Sequence, residues 1–200
     1  MQDTRTYILK TSLILFLQKS FKDVTMNEIV QKTGLSKGAF YHYFKSKDDL
    51  YKEIVSMFFN FGSVDYNAFD QNSLLGFLKS YIRNIDVSFK KIYEFTGSNE
   101  NDDVNLNFMM IMFEAVKKFP EFLKMESEQY EKSMAAWVPV IDKAKESGEI
   151  KSETSSQQVA DTFLYLTDGV FIRFINSNKF ESYSKALEEA FNAVYENMKA

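Results

Sequence analysis

Residues 25–50 read TMNEIVQKTGLSKGAFYHYFKSKDDL, and no other stretch constrains the fold as much. Thr25 and Glu28 form T-x-x-E, the pattern of a capping box. In that arrangement the Thr hydroxyl takes the N3 amide and the Glu reaches back to the Thr amide. A short helix with Ile29 and Val30 on its inner side follows, and Thr33-Gly34-Leu35-Ser36 breaks it. Gly34 suits the left-handed position after a helix end, and Ser36 suits the N-cap of the next helix. A helix, a tight Gly-containing turn and a second helix make the geometry that sets a recognition helix in the DNA major groove.

The second helix, about 37–44, groups Lys37, Gly38, Tyr41 and His42 on one side and Phe40, Tyr43 and Phe44 on the other. Gly38 costs about 1 kcal/mol against Ala inside a helix, a cost that makes sense where the backbone must approach a ligand such as DNA. Lys37 can meet phosphate or a guanine edge, and Tyr41 and His42 can donate to phosphate oxygens or touch bases. Ser46 then caps a third helix, where Asp48 and Asp49 suit the positive end and Lys47 does not. A DNA phosphate at that helix end would resolve the misplaced cation.

In register, T-x-x-x-I-V-x-x-x-G-L-S-K-G-A-F-Y-H-Y-F-K-S-K-x-x-L resembles the DNA-binding signature of the TetR family of bacterial transcriptional regulators. The resemblance runs from about Phe21 to Leu50, roughly a quarter of the chain. It carries Gly34, the Ser36 cap, the run Gly38-Ala39-Phe40-Tyr41, Phe44 and the Ser46-Lys47 pair. Val30 and Thr33 stand where the family often has Ala, and Ser20 where it often has Gly; these are packing positions. The DNA-binding residues expected on this basis are Thr25, Ser36, Lys37, Gly38, Ala39, Tyr41, His42 and Lys47. Without the resemblance, caps and periodicity alone leave open a three-helix structural subdomain with no nucleic-acid partner.

The net charge of −4 suits a DNA binder only once it is divided. Residues 1–47 hold eight Lys/Arg against three acids, net +5; residues 48–200 hold 16 against 25, net −9. A basic head on an acidic body is the asymmetry expected when only the head meets phosphate. The charge division sets a helix-turn-helix domain over 1–47 apart from a body over 48–200, and the resemblance implies that this body is a helical ligand-binding and dimerisation domain.

The fold class expected is all-α with about nine helices: 4–19, the short helix between Thr25 and the break at Thr33, 37–44, 46–62, 73–95, 106–119, 120–147, 156–177 and 182–199. Only 2 Pro and 7 Gly in 200 residues agree with long helices. In the first helix Ile8, Leu9, Leu13, Phe16 and Leu17 recur at helical spacing and would cover the helix-turn-helix core. The helix from Ser46, with Leu50, Ile54, Met57, Phe58 and Phe61 as its apolar stripe, is the lever from head to body. Thr96 to Asp103 is the most polar stretch and reads as a loop. Phe108 to Phe113, FMMIMF, is apolar all round and should be buried. Pro139 should kink the seventh helix near Trp137.

No G-x-S-x-G, Walker loop, Rossmann glycine run or H-E-x-x-H is present, so no catalytic residue is assigned and an enzyme is not expected. Pairs such as Asp102-Asp103 and Glu188-Glu189 fall on solvated segments. With no Cys and one His there is no disulfide framework and no expected zinc site, and no cofactor is implied. Asp3, Arg5 and Lys10 interrupt the first apolar stretch, and the longest apolar run is far short of the ~20 residues of a membrane span. The expectation is a soluble, cytoplasmic protein with no membrane partner.

Phe77, Tyr81, Met109, Met112, Phe113, Tyr130 and Trp137 could line a cavity for an apolar or aromatic molecule, or could simply be core. The TetR resemblance implies a small-molecule effector in this part of the chain. Phe163, Leu166, Val170 and Phe174, with Leu187, Phe191 and Val194 in the last helix, give two wide apolar faces. Periodicity alone leaves a dimer interface and the core of a monomer equally open; the resemblance implies a homodimer closed by a four-helix bundle. The function implied is a homodimeric, ligand-released repressor on a palindromic double-stranded operator. The alternative is a helical ligand carrier or interaction module that has lost DNA binding.

Overall fold

The computed structural model describes residues 3–97, 104–175 and 183–200, and for 104–109 and 175 the helical backbone alone. Among the described residues the chain is all-α. The helices are α1 (Thr4–Gln18), α2 (Met26–Thr33), α3 (Lys37–Tyr43), α4 (Lys47–Phe61), α5 (Leu74–Thr96), α6 (Val104–Lys118), α7 (Pro120–Glu146), α8 (Ser156–Ile175) and α9 (Tyr183–Met198). The 62–72 connection contains one 3-10 turn, Tyr66–Ala68. The polar stretch 98–103, with Asp102 and Asp103, and the side chains of Phe108 and Met109 lie outside the described residues.

The chain divides into two compact units. The first comprises residues 1–62 and 91–123; the second comprises 63–90 and 124–200. The first unit therefore takes in more than the 1–47 head: α4 and α6 cluster with it. Burial explains this. α4 buries Leu50, Tyr51, Ile54, Val55 and Phe58, and α1 packs against α2, α4 and α6. Enclosed by three helices, α1 buries Ser12 and Leu15 as well as its expected stripe, and Ser12 Oγ donates to Ile8 O at 2.7 Å.

α6 buries one face only. Ile111, Ala115 and Phe119 are buried in the first unit, whereas Met110 is 54% and Phe113 61% exposed. The expectation of all-round burial fails because α1 and α4 cover one side of α6. An apolar run sets the hydrophobicity of a helix, not the number of neighbours it meets.

In the second unit α8 and α9 pair, and their inward faces close on Trp137. Phe77, Tyr81, Phe163 and Phe191 surround that indole, with ring centroids 5.0, 5.1, 5.6 and 6.4 Å away. α7 continues through Pro139, which lies on its exposed side together with Ala135. The carbonyl that loses an amide partner to the proline is thus Ala135 O, on the water-facing side, where the loss is least costly.

Glu149 joins the two ends of this unit. Its carboxylate accepts from the first amides of α5, Leu74 N at 2.9 Å and Leu75 N at 3.0 Å, and from Tyr195 Oη of α9 at 3.0 Å. It thereby satisfies amides that a helix start leaves without partners, at the positive end of the helix dipole. Beside it Ile150 and Lys199 form an isolated antiparallel bridge, and Ala200 N donates to Glu149 O at 3.2 Å.

Candidate nucleic-acid interface

The helix-turn-helix is built by local capping. Thr25 Oγ1 accepts from Glu28 N at 3.2 Å and Ser36 Oγ accepts from Ala39 N at 3.2 Å. Ser46 Oγ accepts from Asp49 N at 3.1 Å. Gly34, at φ +68°, takes the left-handed C-cap of α2. The capping box is half formed: the Glu28 carboxylate pairs with Lys19 instead of returning to Thr25. That ion pair, an attraction the backbone amide cannot match, holds the Glu28 carboxyl below the usual carboxylate range.

α3 buries Phe40, and Phe44 is buried at its C-cap. Lys37, Gly38, Ala39, Tyr41 and His42 are exposed, as are Thr25 and Ser36. A Cβ added at Gly38 would meet nothing within 4 Å, so nothing inside the chain demands glycine there. Lys45 Nζ donates to Tyr41 O at 2.6 Å and places a further cation beside this face. Lys45 is outside the set expected from the sequence; a Lys four residues after Tyr41, at a helix C-terminus, is the signal by which it could be found.

Lys47 sits elsewhere. Its Nζ donates to Phe21 O and Val24 O, each at 2.7 Å, and lies 4.3 Å from the Phe21 ring centroid. A cation at a helix N-terminus is here stabilised by two loop carbonyls, without an external phosphate. Partial burial, and then the nearby Lys118 charge, push its pKa down.

Residues 8–54 match the family described as "Bacterial regulatory proteins, tetR family". Over 50 residues the chain is 48% identical to the HTH-type transcriptional regulator YerO of Bacillus subtilis, a match covering 25% of this chain and 17% of YerO. The likeness to the TetR family is carried by this head, residues 8–54. Beyond the matched head, the chain is 23% identical over 180 residues to the HTH-type transcriptional repressor BepR of Brucella suis, covering 88% of one and 83% of the other. A solved TetR-family regulator from Agrobacterium tumefaciens superposes with a TM-score of 0.64 at 15% identity, covering 98% of each chain. At that identity the likeness speaks for the fold alone.

The other residues expected to act in this chain are distributed unevenly. Phe77, Tyr81 and Trp137 come together in the second unit. Tyr130 is exposed there, with its hydroxyl donating to Asp161 Oδ1 at 2.8 Å. Met112 is half-buried and Phe113 exposed in the first unit, and the Met109 side chain lies outside the described residues. Sequence reasoning missed Tyr66 and Phe69, whose rings lie 6.1 and 5.4 Å from Phe77. The Tyr66 hydroxyl donates to Ser133 Oγ at 2.9 Å, and Trp137 Nε1 has no hydrogen-bond partner among the described residues.

The residues expected at a dimer interface divide by burial, and three of them are taken up by their own core. Phe163, Leu187 and Phe191 are fully buried in their own unit, because α8 and α9 turn their widest apolar faces inward onto Trp137. Leu166, Val170, Phe174 and Val194 are half-buried against the same core. The outer face of α8 instead exposes Tyr165 by 66% and Ile172 by 50%.

No described helix is long and apolar enough to cross a membrane, and no group of His, Cys, Asp or Glu among the described residues is arranged to hold a metal ion.

Proposed function

We propose that this chain is a TetR-family regulator: a cytoplasmic, sequence-specific DNA-binding repressor that acts as a homodimer and leaves its operator when a small apolar or aromatic molecule binds its second unit. The observation that carries the reading is the outer face of α3. Lys37, Gly38, Ala39, Tyr41 and His42 stand exposed on a helix whose start is capped by Ser36 and whose other side is buried through Phe40. Lys37, Tyr41 and His42 read bases and phosphates, while Thr25 and Ser36 lie at helix N-termini where phosphate binds. Lys47 braces the head.

The partner copy docks along the outer face of α8. Thr162, Tyr165, Gly169 and Ile172 are all exposed and recur at helical spacing, and a Cβ added at Gly169 would meet nothing in its own chain. α9 presents Lys185, Glu188, Glu189 and Glu196 on its exposed side, which suits water better than a partner helix. Two-fold symmetry then makes the operator a palindrome with half-sites about one helical turn, ~34 Å, or a multiple apart. Effector and DNA oppose one another by a reciprocal factor. The effector enters the aromatic group around Trp137.

Selection of random duplex DNA on the purified protein tests this. A palindromic consensus supports the reading. Recovery of nothing above background at low salt, from a verified dimer, refutes it and favours a helical carrier that binds no DNA.

A further inference from the structure

Phe21, in the loop joining α1 to α2, is held at three points. Its carbonyl accepts from Lys47 Nζ of α4. Its ring packs 4.5 Å from Tyr51, with Lys47 and Lys118 ammonium groups 4.3 and 3.9 Å from its centroid. Its backbone N–H donates to Glu114 Oε2 of α6 at 3.1 Å, across 93 residues of sequence. The same carboxylate oxygen takes a longer 3.4 Å contact from the Tyr51 hydroxyl, which also donates to Ile111 O at 3.0 Å. Lys118, one turn further along α6, pairs with Asp48 at the start of α4.

Four residues after Phe21, Thr25 caps α2. From there Gly34 and Ser36 fix α3 relative to α2 by local geometry. The loop is therefore one of the points at which the helix-turn-helix is tied to its surroundings, beside the packing of α1 on α2. One tie comes from Lys47, close to α3 in sequence; the other comes from α6, remote in sequence. We propose that Glu114 is a positioning residue for operator recognition, fastening the α1–α2 loop directly to α6 and so holding the recognition helix in register. The inference rests on the DNA-binding reading above. Its physical content is reach: the carboxylate must extend far enough from α6 to accept the Phe21 amide. An amide donor left without that acceptor costs stability and frees the loop.

The test uses two variants of the full chain that separate reach from charge. Glu114→Gln keeps the length and an acceptor oxygen and loses the charge. Glu114→Asp keeps the charge and withdraws the acceptor by one methylene. The reading has two arms: affinity for the selected palindrome against an unrelated duplex, and deuterium exchange at the Phe21 amide. Glu114→Asp is expected to lose about tenfold in affinity for the palindrome, the equivalent of one hydrogen bond, with binding to the unrelated duplex unchanged. Its Phe21 amide exchanges fast. Glu114→Gln stays within about twofold of the parent, with slow exchange. The opposite order, or equal behaviour of the two variants, overturns the inference while leaving DNA recognition intact. A parent protein that selects no palindrome overturns the underlying reading and the inference with it, and the exchange arm still reports whether Glu114 holds the loop. If Glu114→Asp unfolds, normal palindrome binding by Glu114→Gln with slow exchange supports reach; fast exchange in it refutes reach.

Discussion

Replacing Lys47 with Met tests whether this lysine braces the head or grips DNA. The substitution removes an ammonium that makes two hydrogen bonds of 2.7 Å to loop carbonyls and rests 4.3 Å from an aromatic centroid. A hydrogen bond from a charged donor is worth about 1.5–3 kcal/mol, reduced where water competes. Lys47 is only half-buried, so about 2 kcal/mol for the pair and about 0.5 kcal/mol for the ring contact is a fair sum. In a chain of this size each kcal/mol shifts Tm by about 2–4 °C, which gives a fall of roughly 5–10 °C. Lys37, exposed on α3, should behave in the opposite way. Lys37→Ala changes stability by less than about 0.5 kcal/mol. It lowers the slope of log K against log salt by about 0.9, one phosphate contact. The assay is a salt titration of binding to the selected duplex beside calorimetric unfolding of each variant. A Lys47→Met protein that keeps its Tm and loses a full unit of salt slope would refute the brace.

Ser36→Ala should destabilise by about 1 kcal/mol through loss of the α3 cap, with Ser36→Asp close to the parent in urea unfolding. Phe191→Ala should cost about 3–5 kcal/mol, since the ring is buried around Trp137, whereas a Tyr165→Glu, Ile172→Glu double variant should retain secondary structure and sediment as a monomer. Burial raises the phenol pKa values of Tyr81 and Tyr183 above the ordinary 10.0. A raised folded-state pKa favours the fold below the unfolded value and loses that advantage as pH climbs past it, so stability should fall from about pH 10 upward. Tyrosinate absorbance should then rise together with unfolding; a tyrosinate signal from those two residues in folded protein would contradict their burial.

What could be read from the sequence was decided within a turn or two. Thr25, Ser36, Ser46 and Gly34 each act on a backbone group no more than three residues away, so residue type and spacing already state the contact. Glu28 shows where this ends: its partner, Lys19, is nine residues back, and the capping box loses to it. Lys47 stood out as a cation at the wrong end of a helix, but periodicity does not reveal that Phe21 and Val24 carbonyls return to meet it. The apolar faces of α8 and α9 were plain, but a stripe of Phe163 and Phe191 looks the same whether Trp137 or a second copy covers it. Phe113 taught the converse lesson, that a wholly apolar turn still needs neighbours on every side to be buried. Glu149 and Glu114 act over 75 and 93 residues, and no local pattern marks an acidic side chain that serves a distant amide.

The Glu149 junction also sets an order of events. The second unit is assembled from two separate lengths of chain, with residues 91–123 belonging to the other unit. The carboxylate that caps α5 is made some 75 residues after that helix begins, and the Tyr195 hydroxyl that completes the junction emerges later still. During synthesis at about 5–20 residues per second, the Leu74 and Leu75 amides therefore wait several seconds for that carboxylate. Nascent chains still short of α9 expose Trp137 and the rings meant to enclose it. This interval is when the protein is most open to aggregation and to chaperones, and when slow decoding upstream of Tyr183 would do the most harm.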